Sequence, residues 1–311
     1  MKYIDVWKKQ KNIFSKHWSQ LPIVDVNNEN YWRIYYSHRI DNKSYPKYFD
    51  VEKENPEKII NICEQPLIEP GELGSFDQAG VMPTEIISHN GIKYLYYIGW
   101  TNRKDVPYFN TIGLALSYDQ GKTYKKFSTG PVFGCSYKEP GYTGTIKILV
   151  EDGIWKSWYL SCRKWLKTNN DSVEPLYDIK YAESKNGIDW EPSNITCIPL
   201  KEEQGGISQA SVLKCDKYYY MWYSYRNKID YRIDKKNSYK IGHARSLNGK
   251  EWDILDTPVL EPSDNGWDSL MVEYPSVIKG KDFYYMFYNG NGFGKEGIGY
   301  AITKDPFSVW E

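Results

Sequence analysis

A short phrase recurs along this chain: GKTY at 121–124, GIDW at 187–190 and GKEW at 249–252, each shortly after an apolar-alternating stretch. Placed side by side, the copies belong to a longer unit: a proline or small residue, an apolar strand, a polar turn, an aromatic strand, a third strand, and then the turn with its aromatic residue. Five copies can be traced. Their second strands read WRIYYSHR (32–39), YLYYIGW (94–100), WKSWYLSCR (155–163), YYMWYSYR (219–226) and YYMFYNGNG (284–292). This places Tyr36, Tyr97, Tyr159, Tyr223 and Tyr288 in one column, repeating roughly every sixty residues.

The third strands follow as IGLALS (112–117), IKYAES (179–184), IGHARS (241–246) and IGYAIT (298–303), with a degenerate copy, YPKYFDVE, at 45–52. Alternation that runs into Asn-Gly or Asp-rich turns is a hairpin pattern. Units of this size cannot each bury a core alone, so neighbouring sheets must pack face to face, and radial closure protects their edges. The expectation is an all-β, five-bladed β-propeller with four antiparallel strands per blade around a central funnel, one domain over residues 1–311. Connecting segments recur before the blades, among them PLIEPGELGSFD (66–77), GPVFGCSYKEPG (130–141) and PVLEPSDNGWD (258–268), with NIFSKHW (12–18) in front of the first. IDVWKK (4–9) reads as a fourth strand that closes the ring beside the last blade.

Composition agrees. Twelve Trp, 29 Tyr and 10 Phe supply the aromatic area that fills wedges between sheets, and long helical periodicity is absent. Forty basic residues balance forty acidic ones, so bulk charge points to neither nucleic acid nor an anionic membrane as partner. The N-terminal MKYIDVWKKQ has no apolar signal core and no stretch approaches a membrane span, from which a cytoplasmic protein is expected. Cys63, Cys135, Cys162, Cys197 and Cys215 are odd in number, dispersed and without CxxC pairing, and read as reduced core thiols. The four histidines form no metal-spaced set, and no cofactor is indicated.

The segments FDQAGVMPTEII (76–87), YYMWYS (219–224), IGHARSLNGKEW (241–252), PVLEP (258–262) and GWDSLMVEYPSVI (266–278) together resemble the five-bladed propellers of the glycoside hydrolase superfamily that includes arabinanases, β-xylosidases, invertases and mannoside phosphorylases. The resemblance spans essentially the whole chain. It implies a funnel lined by the innermost strands, with acidic residues near their beginnings in the first three blades. Glycosidic cleavage needs a proton donor on the leaving oxygen and a carboxylate that attacks or activates water.

Aligning the first strands on Pro22, Pro83, Thr145, Ala210 and Pro275 brings Gln20, Val81, Thr143, Ser208 and Glu273 together two residues earlier, and of these Glu273 alone is acidic. The first blade reads HWSQLP (17–22) where the resemblance would put an Asp, and Asp25 beyond the proline is placed to face a blade interface. The candidate catalytic acids are therefore Glu273, Glu139 in YKEPGYTG (137–144), where the resemblance would place a general acid, and Asp77. Asp77 has a counterpart in Asp268, and a carboxylate that recurs between blades also fits a turn cap on backbone amides.

Three residues after each aligned tyrosine lie Arg39, Trp100, Cys162, Arg226 and Asn291, with Arg163 beside Cys162. Guanidinium forks match carboxylates and phosphates bidentately, so Arg39, Arg163 and Arg226 in one funnel would suit an anionic ligand, a saccharide or sugar phosphate; the alternative is pairing with acids of neighbouring blades. His17, His38 and Arg103 could extend this patch, and Trp18, Trp100 and Trp165 offer stacking platforms. Gln20, Gln209 and Glu85 complete the expected substrate-binding set. Three function classes fit: a glycosidase acting on an anionic saccharide, a glycoside phosphorylase or sugar-transfer enzyme in which phosphate is the nucleophile and one acid suffices, and a non-catalytic glycan-binding or surface-polysaccharide biosynthesis protein. Hydrolysis is the leading expectation. Oligomeric state is not encoded in these patterns.

Overall fold

Segments in which aromatic and β-branched residues alternate with small or polar ones favour a pleated backbone with one face packed on a neighbour. They become strands throughout the computed structural model, which describes residues 6–16, 18–168 and 172–310. In chain order these are β1 (Lys8–Phe14), β2 (Trp18–Asp25), β3 (Tyr31–Ile40), β4 (Lys43–Glu52) and β5 (Asn55–Ile62), then β6 (Gly80–His89), β7 (Ile92–Thr101), β8 (Phe109–Ser117) and β9 (Lys125–Lys126). There follow β10 (Thr143–Glu151), β11 (Ile154–Lys167), β12 (Val173–Ser184) and β13 (Trp190–Ile198), and then β14 (Gln204–Cys215), β15 (Tyr218–Asn227), β16 (Lys240–Ser246) and β17 (Asp253–Ile254). The last are β18 (Glu273–Lys279), β19 (Tyr284–Asn289) and β20 (Ile298–Thr303). The protein is all-β, and among the described residues no helix is long and apolar enough to cross a membrane.

Antiparallel pairing groups the described strands into five units: β2 to β5, β6 to β9, β10 to β13, β14 to β17, and β18-β19-β20-β1. Single parallel bridges, Ser44 with Gly80 and Tyr177 with Gly206, fuse the first unit to the second and the third to the fourth. The fifth unit takes its outer strand from the other end of the chain, Lys8 lying opposite Ile302. That strand begins later than the 4–9 expected from sequence and absorbs Asn12–Phe14, which the repeat assigned to a connector. Residues 1–5 lie outside the described residues.

The tyrosine column is real in three dimensions. Tyr36, Tyr97, Tyr159, Tyr223 and Tyr288 are all buried, and they face Lys47, Gly113, Lys180, Gly242 and Gly299 on the third strands. A Cβ on Gly113 would overlap the Tyr97 ring, and one on Gly242 the Tyr223 ring, so glycine is what lets these rings lie flat on the next strand.

The recurring glycine phrases are inter-unit staples. Gly121, Gly187 and Gly249 have φ of +83°, +74° and +75°, and Ser117, Ser184 and Ser246 accept their amides. The glycine carbonyls point into the preceding unit, accepting from Arg33 (3.2 Å), Tyr96 (2.5 Å) and Trp158 (2.7 Å). Those donors sit one to three residues before the column tyrosines, which is why the turn and the aromatic strand repeat together.

The inner strands β2, β6, β10, β14 and β18 lie side by side in that order, and β18 lies against β2. Thr84 Oγ1 accepts the Ile146 amide, Thr145 Oγ1 that of Gln209, Ser211 Oγ that of Val277, and Ser276 Oγ that of Val24, at 2.8–3.3 Å. The first and second units are joined by the buried Asp25–Lys93 ion pair, so Asp25 does face an interface. Four of the five junctions thereby satisfy backbone amides that would otherwise be buried without partners. The five cysteines are unpaired thiols; Cys162 and Cys197 are in the core, whereas Cys135 is exposed rather than a core residue.

Candidate functional site

Every inner strand carries a β-bulge near its start, between Gln20 and Ile23, Pro83 and Glu85, Thr143 and Ile146, Ser208 and Ser211, and Glu273 and Ser276. A bulge bends its strand and re-aims a side chain. At three of them a non-glycine residue is held left-handed: Leu21 at φ +59°, Gln209 at +49° and Tyr274 at +57°. Such backbone costs roughly 1–3 kcal/mol each and collects at functional sites. The bulges surround a cavity of about 440 Å³, onto which Gln20, Met82, Thr145, Ser208 and Tyr274 face, one from each inner strand. That volume is typical of small-ligand sites.

The wall is aromatic. Trp18, Trp100, Tyr177, Tyr239 and Tyr274 line the cavity, while Tyr108 and Tyr231 come from the long loops after β7 and β15. The Tyr177 and Tyr239 hydroxyls are bonded to each other at 2.6 Å. Arg39 lies 5.4 Å from the Trp18 ring and 5.5 Å from the Trp100 ring, with no carboxylate partner among the described residues. Burial lowers its pKa with no acid to offset it. Arg232 is the other wall cation; it is half-exposed, pairs with Glu174 and stacks on Tyr231. No Asp or Glu is among the described residues of the wall.

Glu273 sits behind that wall, fully buried. One carboxylate oxygen accepts from Asn289 at 3.1 Å and the other has no partner among the described residues. The Asn289 carbonyl accepts the amide of left-handed Leu21, which ties Glu273 to the Gln20 bulge. Burial pushes its pKa up to about 8, against smaller opposing effects from Asn289, Arg226 and Arg232, so it carries a proton at neutral pH.

No protein-family profile matches the chain. An uncharacterized protein of Mycobacterium tuberculosis, Rv1502, is 29% identical over 310 residues, covering 96% of this chain and 99% of that one. A 1,2-beta-oligomannan phosphorylase of Thermoanaerobacter is 24% identical, covering 81% of this chain and 79% of its own. Among solved structures, a beta-1,2-mannobiose phosphorylase from Listeria innocua superposes with a TM-score of 0.65 at 13% identity, covering 98% of this chain and 96% of its own. A structure from the GH130 family of mannoside phosphorylases gives 0.72 at 14%, with 96% of both chains covered. The chain has the fold of the glycoside hydrolase and mannoside phosphorylase propellers.

Within this propeller-type fold the other expected acids lie away from the cavity. Asp77 accepts from Tyr97 (3.2 Å), Lys126 (2.6 Å) and Ser75 (3.0 Å). Glu139 accepts from Tyr159 (2.9 Å), Ser161 (2.5 Å) and Lys180 (2.6 Å), and Asp268 from Tyr288 (3.0 Å) and Lys9 (2.7 Å). One device recurs in three units: a buried carboxylate that takes the column tyrosine and a lysine from the outer part of the same sheet. Glu85 is a staple between the second and third units, accepting the Ile86 and Ile148 amides and pairing with Lys147 at 2.8 Å.

The three arginines separate. Arg39 reaches the cavity. Arg226 lies behind it, 1% exposed, 3.9 Å from the Tyr231 ring and donating to the Pro175 and Asn227 carbonyls, a brace rather than a wall residue. Arg163 pairs with Asp178 at 2.7 Å and bonds Thr196, outside the cavity. Gln20 and Trp100 line the cavity, Trp165 packs behind Tyr108 and Tyr142, and Gln209 is buried beside Ser208. His17 lies outside the described residues. Sequence reasoning missed the wall tyrosines and Arg232; the signal for Tyr108, Tyr231 and Arg232 was tyrosine in the loop phrases VPYFN (106–110) and DYRID (230–234).

Proposed function

We propose that the protein is a carbohydrate-active enzyme built as one five-bladed propeller over 1–311, that it binds a saccharide in the aromatic cavity, and that it transfers a glycosyl group to an anion, inorganic phosphate or a phosphorylated acceptor, held by Arg39. The observation that carries this reading is a wall with an unpaired arginine between two indoles and no carboxylate among its described residues. Hydrolysis by two opposed carboxylates needs both within about 5–9.5 Å of each other across the sugar, and Asp77 and Glu139 are engaged inside their own sheets. In phosphorolysis a phosphate oxygen forms the bond to the anomeric carbon as the glycosidic C–O bond breaks, and the leaving oxygen takes up one proton. One acid suffices. That proton comes from Glu273, behind Tyr274, leaving Glu273 as the carboxylate, and the tyrosine hydroxyls orient the sugar. The circular order of the inner strands supports the propeller assignment.

The test is turnover of β-1,2-mannobiose and β-1,2-linked oligomannan, the sugars suggested by the phosphorylase relatives, with and without inorganic phosphate, read by mass spectrometry. Sugar phosphate formed only with phosphate is expected, and Arg39→Ala should lower kcat/KM for phosphate at least about tenfold, the worth of one charge-assisted contact. Free sugar formed without phosphate would instead favour hydrolysis. The complete burial of Glu273 favours a second reading, glycan binding without chemistry, in which sugars bind and nothing turns over.

A further inference from the structure

A second cavity, also about 440 Å³, opens beside the first on the second unit, lined by residues that include Phe76, Gln78, Asn102, Arg103, Phe109 and Thr111. Asn102 lines both cavities, so they adjoin there. The start of β8 is the partition: Tyr108 and Asn110 face the central cavity, Phe109 and Thr111 the outer one, as strand alternation dictates.

Three features of this outer groove suit a hydroxyl-rich chain. Phe109 offers a ring with the Arg103 guanidinium 4.7 Å from its centroid, an apolar face with polar donors beside it. The Gln78 carbonyl is pinned by the Gly74 amide at 2.6 Å, which fixes its side-chain amide as a donor. Thr111 is 8% exposed, yet its buried hydroxyl has no partner among the described residues. An unpartnered buried hydroxyl is destabilising, and a valine of the same shape would avoid that cost. No carboxylate is among the groove's described lining, so nothing there repels a neutral or anionic sugar.

We infer that the outer groove is a distal subsite that holds further sugar units of an oligosaccharide whose reacting end occupies the central cavity. The inference rests on the saccharide reading of that cavity and narrows it: the substrate is a chain that passes over Asn102, not a disaccharide.

The test is calorimetric titration of the full-length protein with β-1,2-linked mannobiose and mannotetraose. Wild type should bind the tetraose about tenfold or more tighter, the worth of one added charge-assisted hydrogen bond. In Arg103→Ala combined with Thr111→Val the tetraose-to-biose affinity ratio should fall towards one. Thr111→Val alone should raise Tm while lowering that ratio, an opposition that a purely structural threonine would not produce. Equal affinity for both sugars in wild type, or an unchanged ratio in the double variant, overturns the distal subsite and leaves the central reading standing. Absence of binding by either sugar overturns both.

Discussion

At the residue scale, Glu273 concentrates the unusual chemistry. Its folded pKa is raised by burial, so the native state keeps a proton that the unfolded chain gives up near the ordinary 4.5. Its contribution to stability is therefore fully present below pH 4.5, declines as pH rises, and is lost through pH 8. Glu273→Gln, which cannot ionise, should flatten the fall in Tm between pH 4.5 and 8 relative to wild type; parallel profiles would show that the carboxyl is not protonated in the folded protein. Glu273 was legible from sequence because a lone acid stood in a column of small and polar residues. Its orphaned oxygen was not, because that depends on Asn289 and the Gln20 bulge, contributed by other strands.

At the scale of elements, the repeated carboxylate–tyrosine–lysine device decides what three of the acids do. The sequence displayed Asp77, Glu139 and Asp268 but concealed their lysines, because Lys126 and Lys9 lie on fourth strands, Lys180 on a third strand, and Lys9 arrives from the far end of the chain. The same limit applies to the arginines. Equal spacing from the column tyrosine places Arg39 and Arg226 at the ends of equivalent strands, yet Tyr231 of the 228–239 loop covers Arg226, whereas Arg39 lies by the Trp18 and Trp100 rings. Local patterns such as the Gly-turn phrases and the tyrosine column were readable because each is completed within a few residues. Glu139→Gln keeps one acceptor oxygen, replaces the other with an amide donor where Tyr159 or Ser161 donates in the wild type, and removes the charge facing Lys180. It should destabilise the protein in denaturant titration by about 3–5 kcal/mol, as expected when a buried pair loses one charge. Ligand affinity at the cavity should survive in the folded fraction; lost turnover with stability intact would return Glu139 to the chemistry.

At the scale of the whole molecule, cohesion is circular. Each unit buries one face on the next, as in the cluster where Trp7 meets Trp222 edge-on at 6.1 Å, and the cluster where Phe14 stacks on Phe49 at 4.2 Å. Trp7 immediately precedes β1 and Phe14 ends it, so this segment contributes to two wedges at once. Deleting residues 1–14 should uncover both and bare the edge of β20. The expected outcome is loss of a single cooperative unfolding transition together with aggregation on size-exclusion chromatography; a monomer with an unchanged transition would mean that the other units hold without the closing strand.

The pairing of β1 with β20 also sets a timetable. During synthesis β1 leaves the ribosome well ahead of its partner β20, a delay of roughly fifteen seconds to a minute at about 5–20 residues per second. Throughout that interval it is an orphan edge, the kind of segment that recruits other nascent chains. Its sequence, KKQKNIF, sets Lys8, Lys9 and Lys11 along that edge, and clustered lysines are how natural edge strands repel one another. The clasp of the ring is written so that it stays unattractive to every chain until its own far end appears.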